Sequence, residues 1–316
     1  MEMTLRRLGD TGLEVTPVCV GTSPLSSMPG LYGYRVTAEA ATATISRALD
    51  GPLNFLDTSN NYGAGTAETL IGEVLRRRGG VPSGFVLATK VDADAATGAF
   101  DGERVRRSVE ESLSRLGVDR VELMYLHDPE AHLTFEQAMA DDGPVAALAD
   151  LRDQGVLGHI GVAMGDLDML AQFLRTGVFE VALNHNHYTL LDRSADSLIE
   201  DACRRGIAFV NAAPYGGGIL AKGPEAQPKY AYRQASDAVL QAVCGMQEVC
   251  SRHDVPLQAA ALQFSLRDPR IASTVVGVSD PARIDETLAF AASDIPEQVW
   301  SELTSLTPTT DLWVSL

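Results

Sequence analysis

Four side chains that can take part in proton transfer follow three consecutive apolar runs of this sequence. They are Asp57 at the end of "NFLD", Tyr62 in the glycine-containing turn after it, Lys90 at the end of "FVLATK" and His127 in "VELMYLHD". A free phenol has a pKa near ~10 and is a poor acid or base at neutral pH. A neighbouring ammonium lowers the pKa of a phenol, and a carboxylate holds that ammonium in place.

We therefore predict a relay from Asp57 through Lys90 to Tyr62. Tyr62 would give or take a proton at an oxygen while a hydride moves at the neighbouring carbon, and His127 would orient that oxygen from the opposite side. Each residue alone has a simpler explanation, as a cap, a packed ring, a solvated charge or a satisfied hydrogen-bonding group. Their occurrence at consecutive strand ends favours function.

The surrounding sequence alternates short apolar runs with longer segments of helical spacing. The predicted strands are Val15–Val20, Asn54–Asp57, Phe85–Lys90, Glu122–His127, His159–Ala163, Val181–His185, Ala208–Ala212 and Ser273–Val278. The predicted helices between them are Thr37–Leu49, Thr66–Arg78, Gly102–Leu116, Gly143–Gln154, Asp166–Leu174, Ser194–Arg205 and Ser236–His253. Parallel neighbours need helical crossovers, and eight strands close a (β/α)8 TIM barrel. We expect one such domain over residues 1–316, with an N-terminal β-hairpin around Gly9–Gly12 as a plug below it.

An open doubly wound sheet is disfavoured, because the first strand is followed by "VGTSPLSSMPG", which has no Gly-x-Gly-x-x-Gly. In a barrel, the side chains that do chemistry lie at the carboxyl ends of the strands. The strand-end residues above are thus expected to meet at one mouth.

Composition restricts the classes of partner. The chain has 316 residues, 45% hydrophobic and 21% charged, and a net charge of −17. A surface this acidic repels phosphate backbones and anionic lipids, so nucleic acid and membranes are not expected partners. Four scattered cysteines without a C-x-x-C pair suit a reducing cytoplasm, and no secretion signal or membrane span is expected.

The motifs "LDTSNNYGAGTAETLIGEVL" and "SLSRLGVDRVELMYLHDPE" resemble the aldo-keto reductase superfamily. The resemblance extends nearly from end to end. It implies a barrel enzyme with a nicotinamide cofactor, and places Asp57, Tyr62, Lys90 and His127 on the catalytic positions. "YTLLDRSA", "IAFVNAAPYGGGILAKGP" and "VPLQAAALQFSLRDPRIAS" are similar to the branch of aldose (D-threo-aldose, L-fucose, L-galactose) and pyridoxal dehydrogenases. That branch implies oxidation of a cyclic hemiacetal to a lactone, with Tyr62 as the base and NAD(P) as the hydride acceptor.

Residues near the last strands are the expected cofactor contacts: Asn184, His185, Tyr215, Gly216, Gly217, Gly218, Leu220, Lys222, Gly277, Ser279, Asp280 and Arg283. The glycine triplet lets the backbone approach a pyrophosphate, and Lys222 pairs with it. NADP-preferring relatives place Lys or Arg with Ser where this chain has Gly277-Val278-Ser279. Since Asp280 would repel a 2′-phosphate, we predict a preference for NAD, with NADP as the alternative. The usual Ser-Asn pair, glutamine and stacking aromatic of the superfamily correspond here to Ala163-Met164, Asn184-His185 and Ala212.

The expected substrate contacts are Asn60, Asn61, His187, Tyr32 and Trp313. Strand alternation in "NHNHY" places His185 and His187 on one face. No metal is expected, because zinc needs at least three protein ligands and the sequence offers no third ligand at the matching strand end.

Three alternatives remain open. The chain could be an NADPH-dependent reductase of small aldehydes or ketones, a non-catalytic nicotinamide-binding redox sensor, or a Schiff-base lyase that uses Lys90. A lysine held by Asp57 stays protonated, which disfavours the lyase. The leading hypothesis is oxidation of a sugar-like substrate; the sequence leaves the sugar and the oligomeric state open.

Overall fold

Eight parallel strands close a barrel in the computed structural model, which describes residues 3–231 and 233–309. In chain order they are β1 (Val18–Gly21), β2 (Phe55–Asp57), β3 (Val86–Val91), β4 (Val121–His127), β5 (Leu157–Met164), β6 (Val181–His185), β7 (Ala208–Ala212) and β8 (Ile271–Gly277). Each strand pairs with its neighbours in the sequence, and β8 pairs with β1. The predicted (β/α)8 barrel is confirmed.

Helices connect the strands on the outside of the barrel. The α-helices are Pro29–Tyr32, Ala38–Asp50, Thr66–Arg78, Gly102–Leu116, Phe135–Ala138, Pro144–Asp153, Leu167–Arg175, Asp196–Arg204, Ile219–Lys222, Asp237–Arg252, Leu257–Leu266, Pro281–Ala292 and Glu297–Ser305. Short 3-10 helices cover Ser23–Ser26, Pro129–Ala131 and Gly216–Gly218. Side-chain N-caps explain several of the predicted starts, since the oxygens of Thr37, Asp101 and Ser236 each accept a hydrogen bond from a backbone N–H of the first helical turn.

An antiparallel hairpin lies below the barrel. Its strands are Arg6–Arg7 and Glu14–Val15, and the predicted plug is therefore present. Leu8 and Val15 are fully buried against the inward-facing side chains of the barrel. The Arg6 guanidinium donates to the carbonyl oxygen of Ile271 at 2.7 Å, where β8 begins. The predicted first strand, Val15–Val20, is too long, because Val15 belongs to this hairpin and Pro17 has no N–H for a sheet ladder.

Small residues leave space at the carboxyl end of the barrel. Gly21 pairs with Asp57 across β1 and β2, while Ala163 pairs with His127 and Ala212 with His185. A Cβ atom added at Gly21 would lie 2.8 Å from the Val275 side chain. The lower interior is filled instead by large side chains such as Phe55 and Tyr125. Among the described residues, no helix is long and apolar enough to cross a membrane.

The close contact between helices Thr66–Arg78 and Gly102–Leu116 gives a prediction about stability. A Cβ atom at Gly72 would lie 1.9 Å from the carbonyl oxygen of Arg115, which is backbone and cannot turn aside. We expect Gly72→Ala to lower the free energy of unfolding by about 3 kcal/mol, at the upper end of overpacking penalties. Gly30→Ala is the control, because nothing lies within 4 Å of an added Cβ there. Equal urea midpoints for the two variants would contradict the packing described.

Candidate active site

A cavity of about 850 Å³ opens at the carboxyl end of the barrel. Its lining includes strand-end residues from around the barrel, among them Gly21, Asp57, Lys90, His127, His185 and Ala212. Tyr62, from the loop after β2, lies in the same wall. The strand-end residues predicted to meet at one mouth do so.

The Lys90 ammonium is the centre of this wall. Its Nζ atom donates to Asp57 Oδ1 at 2.6 Å, to the Thr58 carbonyl oxygen at 2.6 Å and to the Tyr62 hydroxyl at 3.2 Å. These three contacts use all three N–H donors of an ammonium. The side chains of Lys90 and Asp57 are 1% and 4% exposed, so the ion pair is shielded from water. The predicted order Asp57–Lys90–Tyr62 is the order found.

The electrostatic state of Tyr62 differs from the prediction. Burial raises the pKa of the Tyr62 phenol well above its ordinary value, and the charge of Asp57 acts in the same direction. Burial also raises the pKa of the Asp57 carboxyl, against the opposing effect of Lys90. Burial and the charge of Asp57 therefore set the direction of the shift, and the expected lowering of the phenol pKa below its ordinary value is not found. Tyr62 is a neutral hydrogen-bond donor at neutral pH.

A fifth polar residue, Asp92, belongs to this site and was missed in the sequence. Its Oδ1 atom lies 2.7 Å from His127 Nδ1, and its carboxylate is buried. The Tyr62 and His127 rings meet edge to face, with centroids 5.9 Å apart. The available signal was the alternation of "TKVD", which points Asp92 to the same side as Lys90 just after β3.

The loop after β2 is fastened from behind by Arg104, on helix Gly102–Leu116. Its Nε donates to the Asp92 carbonyl oxygen at 3.0 Å, and one terminal nitrogen donates to Asn60 Oδ1 at 3.1 Å. The Asn60 amide in turn donates to Glu111 Oε2 at 3.1 Å and to the carbonyl oxygen of Ser108. Asn60 thus faces the helix, away from the cavity, and the structure corrects its predicted placement against a substrate.

The opposite wall carries further polar groups. His185 and Asp128 line the cavity next to His127, with Asp128 Oδ2 at 3.6 Å from His127 Nε2 and Asp128 Oδ1 at 3.9 Å from His185 Nε2. Asp128 has a left-handed backbone, with φ of 41°, an uncommon conformation that projects its carboxylate at this wall.

Asn184 and His187 were predicted to contact the cofactor and the substrate, but neither side chain reaches the cavity. The Asn184 amide donates to the carbonyl oxygens of Met164 and Gly165, and its Oδ1 lies 3.1 Å from His187 Nδ1. His187 is 2% exposed. Strand alternation fails here because β6 ends at His185 and Asn186 turns the chain with φ of 67°.

Glycines form another edge of the cavity. Gly217 and Gly218 line it with φ of 73° and 105°, together with Lys222 and Tyr215. Gly216 lies beneath them, where a Cβ atom would be 2.4 Å from the Tyr230 ring. Leu220 is fully buried in the hydrophobic cluster behind this loop, since helix Ile219–Lys222 turns it away from the cavity. A backbone free of side chains with an ammonium beside it fits the pyrophosphate of a dinucleotide.

The far end of the cavity is formed after β8. Gly277, Ser279 and Arg283 line it, whereas Asp280 lies behind them as the N-cap of helix Pro281–Ala292. The Asp280 carboxylate accepts from Ser279 Oγ at 3.1 Å and lies 3.9 Å from Arg283 Nε. Glu286, also in the lining, accepts from the other side of the Arg283 guanidinium at 2.7 Å.

Of the remaining predicted substrate contacts, Tyr32, Asn61 and Trp313, only Tyr32 is found in the lining of the cavity among the described residues. Tyr32 lines the cavity and donates its hydroxyl to Ser23 Oγ at 2.7 Å. Asn61 is exposed outside the lining, and its backbone N–H donates to Asp92 Oδ2. Trp313 lies outside the described residues. Within the described part of the chain, no group of three or more His, Cys, Asp or Glu side chains is placed to hold a metal ion.

Comparisons with known proteins agree with this geometry. Residues 17–308 match the model of the Aldo/keto reductase family. The chain is 32% identical to D-threo-aldose 1-dehydrogenase of Pseudomonas sp, over 84% of this chain and 87% of that protein. It is 29% identical to pyridoxal 4-dehydrogenase of Microbacterium luteolum (95% and 96% covered) and 31% identical to L-galactose dehydrogenase of Arabidopsis thaliana (91% and 88% covered).

A solved structure shares the fold. The holo form of an aldo-keto reductase from Bacillus halodurans superposes with a TM-score of 0.80 at 22% identity, over 97% of both chains. Its low identity restricts that likeness to the fold.

The buried pair gives a prediction for the site. We expect Lys90→Met to lower the free energy of unfolding by about 3–5 kcal/mol, because Asp57 is left as a lone buried carboxylate. The double variant Asp57→Asn/Lys90→Met should recover most of the loss, since no unpaired charge remains. Denaturant titrations of the three proteins at pH 7 measure this. A double variant less stable than Lys90→Met would contradict the proposed cause of the loss.

Proposed function

Because this chain belongs to the aldo/keto reductase family, we propose that it oxidises an aldose or a similar cyclic hemiacetal to a lactone. The observation that carries the proposal is the Lys90 ammonium, which donates both to Asp57 and to the Tyr62 hydroxyl in the cavity wall. A bound nicotinamide cofactor supplies the hydride acceptor for such an oxidation. The alternative, reduction of small aldehydes or ketones, uses the same groups in reverse.

We assign Tyr62 as the general acid and base at the reacting oxygen. In the oxidative direction Tyr62 would first release its own proton to solvent through the open cavity and become a phenolate. The O–H bond of the hemiacetal would then break, its proton would pass to the phenolate oxygen, and the hydrogen on the carbon would leave as hydride to a bound cofactor. Lys90, at 3.2 Å, stabilises the phenolate that this role requires, and Asp57 fixes the position of Lys90. His127 faces the same space and hydrogen-bonds the oxygen.

The polar wall favours a substrate with several hydroxyl groups. Asp128 and His185 line the cavity beside His127, and both offer hydrogen bonds to hydroxyl groups. Asp128 in particular is an acceptor, and vicinal hydroxyls are good donors to a carboxylate. The names of the relatives from Pseudomonas and Arabidopsis, which specify an aldose and L-galactose, support the same class.

The environment of Lys90 disfavours a Schiff-base lyase. A nucleophilic amine needs a free lone pair, whereas each of the three Lys90 N–H donors has an acceptor here. Lys90 therefore serves as a fixed positive charge.

The cofactor is proposed to lie along the glycine edge and the loop after β8. Gly217, Gly218 and Lys222 would hold the pyrophosphate, and Arg283 the adenosine end. We propose a preference for NAD, because Asp280 and Glu286 already neutralise Arg283 from both sides. Arg283 is the only arginine among the described residues that line the cavity. A 2′-phosphate bound there would be repelled by both carboxylates.

The first experiment measures NADH or NADPH formation by the purified protein over aldoses, pyridoxal and simple alcohols. We expect turnover with aldoses and NAD+, and a loss of about 10²–10⁴-fold in kcat/KM for Tyr62→Phe with NADH binding retained. Tyr188→Phe is the matched control, because its hydroxyl bonds Asp268 outside the cavity; it should keep turnover. Cofactor binding without turnover of any substrate in the wild type would point to a redox sensor. Activity only in reverse, with NADPH and small aldehydes, would replace the oxidation with the reductase alternative.

Asp280 gives a separate prediction about cofactor choice. Asp280→Asn keeps an N-capping side chain and removes one negative charge. We expect the ratio of kcat/KM for NADP+ to that for NAD+ to rise about fivefold, the effect of roughly 1 kcal/mol for one charge near the surface. Asp285→Asn makes the same charge change on the same helix, where Asp285 pairs with Arg47 outside the lining. An equal rise in both variants, or equal use of the two cofactors by the wild type, would contradict the proposed preference.

A further inference from the structure

Asp92 has no part in the hydride transfer proposed above, yet its carboxylate is buried and fully engaged at the site. It is 6% exposed. Its Oδ2 atom accepts from the Ser59 hydroxyl at 2.5 Å and from the Asn61 backbone N–H at 2.9 Å. Its Oδ1 atom lies 2.7 Å from His127 Nδ1.

The hydrogen-bond partners of Asp92 and Ser59 determine which atoms around this carboxylate carry hydrogens. Burial opposes ionisation of Asp92, but His127 and the hydrogen bonds from Ser59 and Asn61 outweigh it and hold the pKa of Asp92 below its ordinary value. An ionised carboxylate is an acceptor only. The single hydroxyl hydrogen of Ser59 is used toward Asp92, so the Ser59 oxygen, 3.2 Å from His127 Nδ1, offers that nitrogen only lone pairs. His127 Nδ1 must therefore carry a hydrogen.

The other ring nitrogen faces the cavity. Asp128 Oδ2 lies 3.6 Å from His127 Nε2, which is beyond a hydrogen bond. With the hydrogen on Nδ1, a neutral imidazole offers a lone pair at Nε2, and only the imidazolium offers a donor there.

We infer that Asp92 is a positioning residue that fixes His127 in the Nδ1–H tautomer, so that neutral His127 has no hydrogen to donate to the reacting oxygen and only charged His127 donates to a substrate carbonyl. The inference rests on the proposed function in one respect, the placement of the reacting oxygen between Tyr62 and His127. Charged His127 therefore favours binding of the oxidised form of the substrate, because a carbonyl oxygen accepts a hydrogen bond that the neutral ring does not offer at Nε2.

The charges around His127 set the pH range in which this ring changes its protonation state. Burial lowers the pKa of His127, but Asp128 and Asp92 raise it by more, against a smaller opposing effect of Lys90. Tyr62 contributes a neutral ring edge, and His185 lies beyond Asp128. The pKa of His127 is thus above its ordinary value. Carbonyl binding is favoured below that pKa and weakens as the pH rises through it.

Asp92→Asn tests the tautomer with unusual clarity. The donors Ser59 and Asn61 N–H should keep the amide oxygen of Asn in the place of Oδ2, which puts its NH2 group toward His127 Nδ1. A donor there forces the neutral ring into the Nε2–H tautomer. Asp128→Asn is the matched control, because it removes one charge near the ring without contacting Nδ1.

The direct measurement is NMR of protein labelled with 15N at its six histidines, with His127→Gln to assign the signal. Above the pKa of His127, we expect Nδ1–H in the wild type and in Asp128→Asn, and Nε2–H in Asp92→Asn. An Nε2–H signal in the wild type, or the same tautomer in all three proteins, would overturn the inference. The measurement needs no turnover, so it remains decisive even if the proposed oxidation is wrong.

Kinetics provide the second readout. For reduction of the product, we expect the KM of the wild type to rise by about tenfold per pH unit above the His127 pKa. In Asp92→Asn the neutral ring is already a donor, so KM should stay flat over the same range. In Asp128→Asn the rise should persist and begin at lower pH. A rise of equal slope and midpoint in wild type and Asp92→Asn would overturn the proposed role of Asp92.

Discussion

The buried ion pair between Asp57 and Lys90 is the interaction on which the site depends. Taking two charges out of water costs several kcal/mol for each ion, and only good geometry with further hydrogen bonds repays it. Here the geometry comes from adjacent strands, β2 and β3, and the further bonds go to the Thr58 carbonyl and the Tyr62 hydroxyl. The third N–H of the ammonium, left over from Asp57 and Thr58, therefore fixes the position of the Tyr62 phenol. Small residues at the neighbouring strand ends keep the space in front of it open.

The same carboxylates act on both titratable groups that face the cavity. Asp92 and Asp128 raise the pKa of His127 and also that of Tyr62, and Asp57 adds to the effect on Tyr62. Both groups consequently favour their protonated forms. Tyr62 is therefore a hydrogen-bond donor in the free protein, and any reaction that takes a proton from the substrate must work against these pKa shifts. The free-energy cost of removing a proton from a substrate is therefore set by the charged groups at the mouth of the barrel.

Sequence reasoning was sufficient where a local rule sets the outcome. Strand periodicity and the strand-end rule predicted the barrel and its polar mouth, and helical spacing together with cap residues predicted helices Thr66–Arg78 and Gly102–Leu116 to the residue. It failed where loops decide. Asn60 turns away because of Arg104, more than forty residues later, and Asn186 ends the alternation that would have carried His187 into the cavity. The pKa of Tyr62 could not be predicted, because it depends on burial in the folded wall and on charges from several separate loops.

Arg104 has a consequence for how such a site can change. The Arg104 guanidinium on the outer layer bonds both the Asn60 side chain and the Asp92 backbone, so the loops bearing Tyr62 and Asp92 share this anchor. A substitution that shifted this helix would displace both loops together and spoil the chemistry before it altered selectivity. The rest of the cavity wall comes from other parts of the chain, among them Tyr32 and the segments after β6, β7 and β8. Residues on that side of the mouth can therefore vary without moving the loops that carry Tyr62 and Asp92.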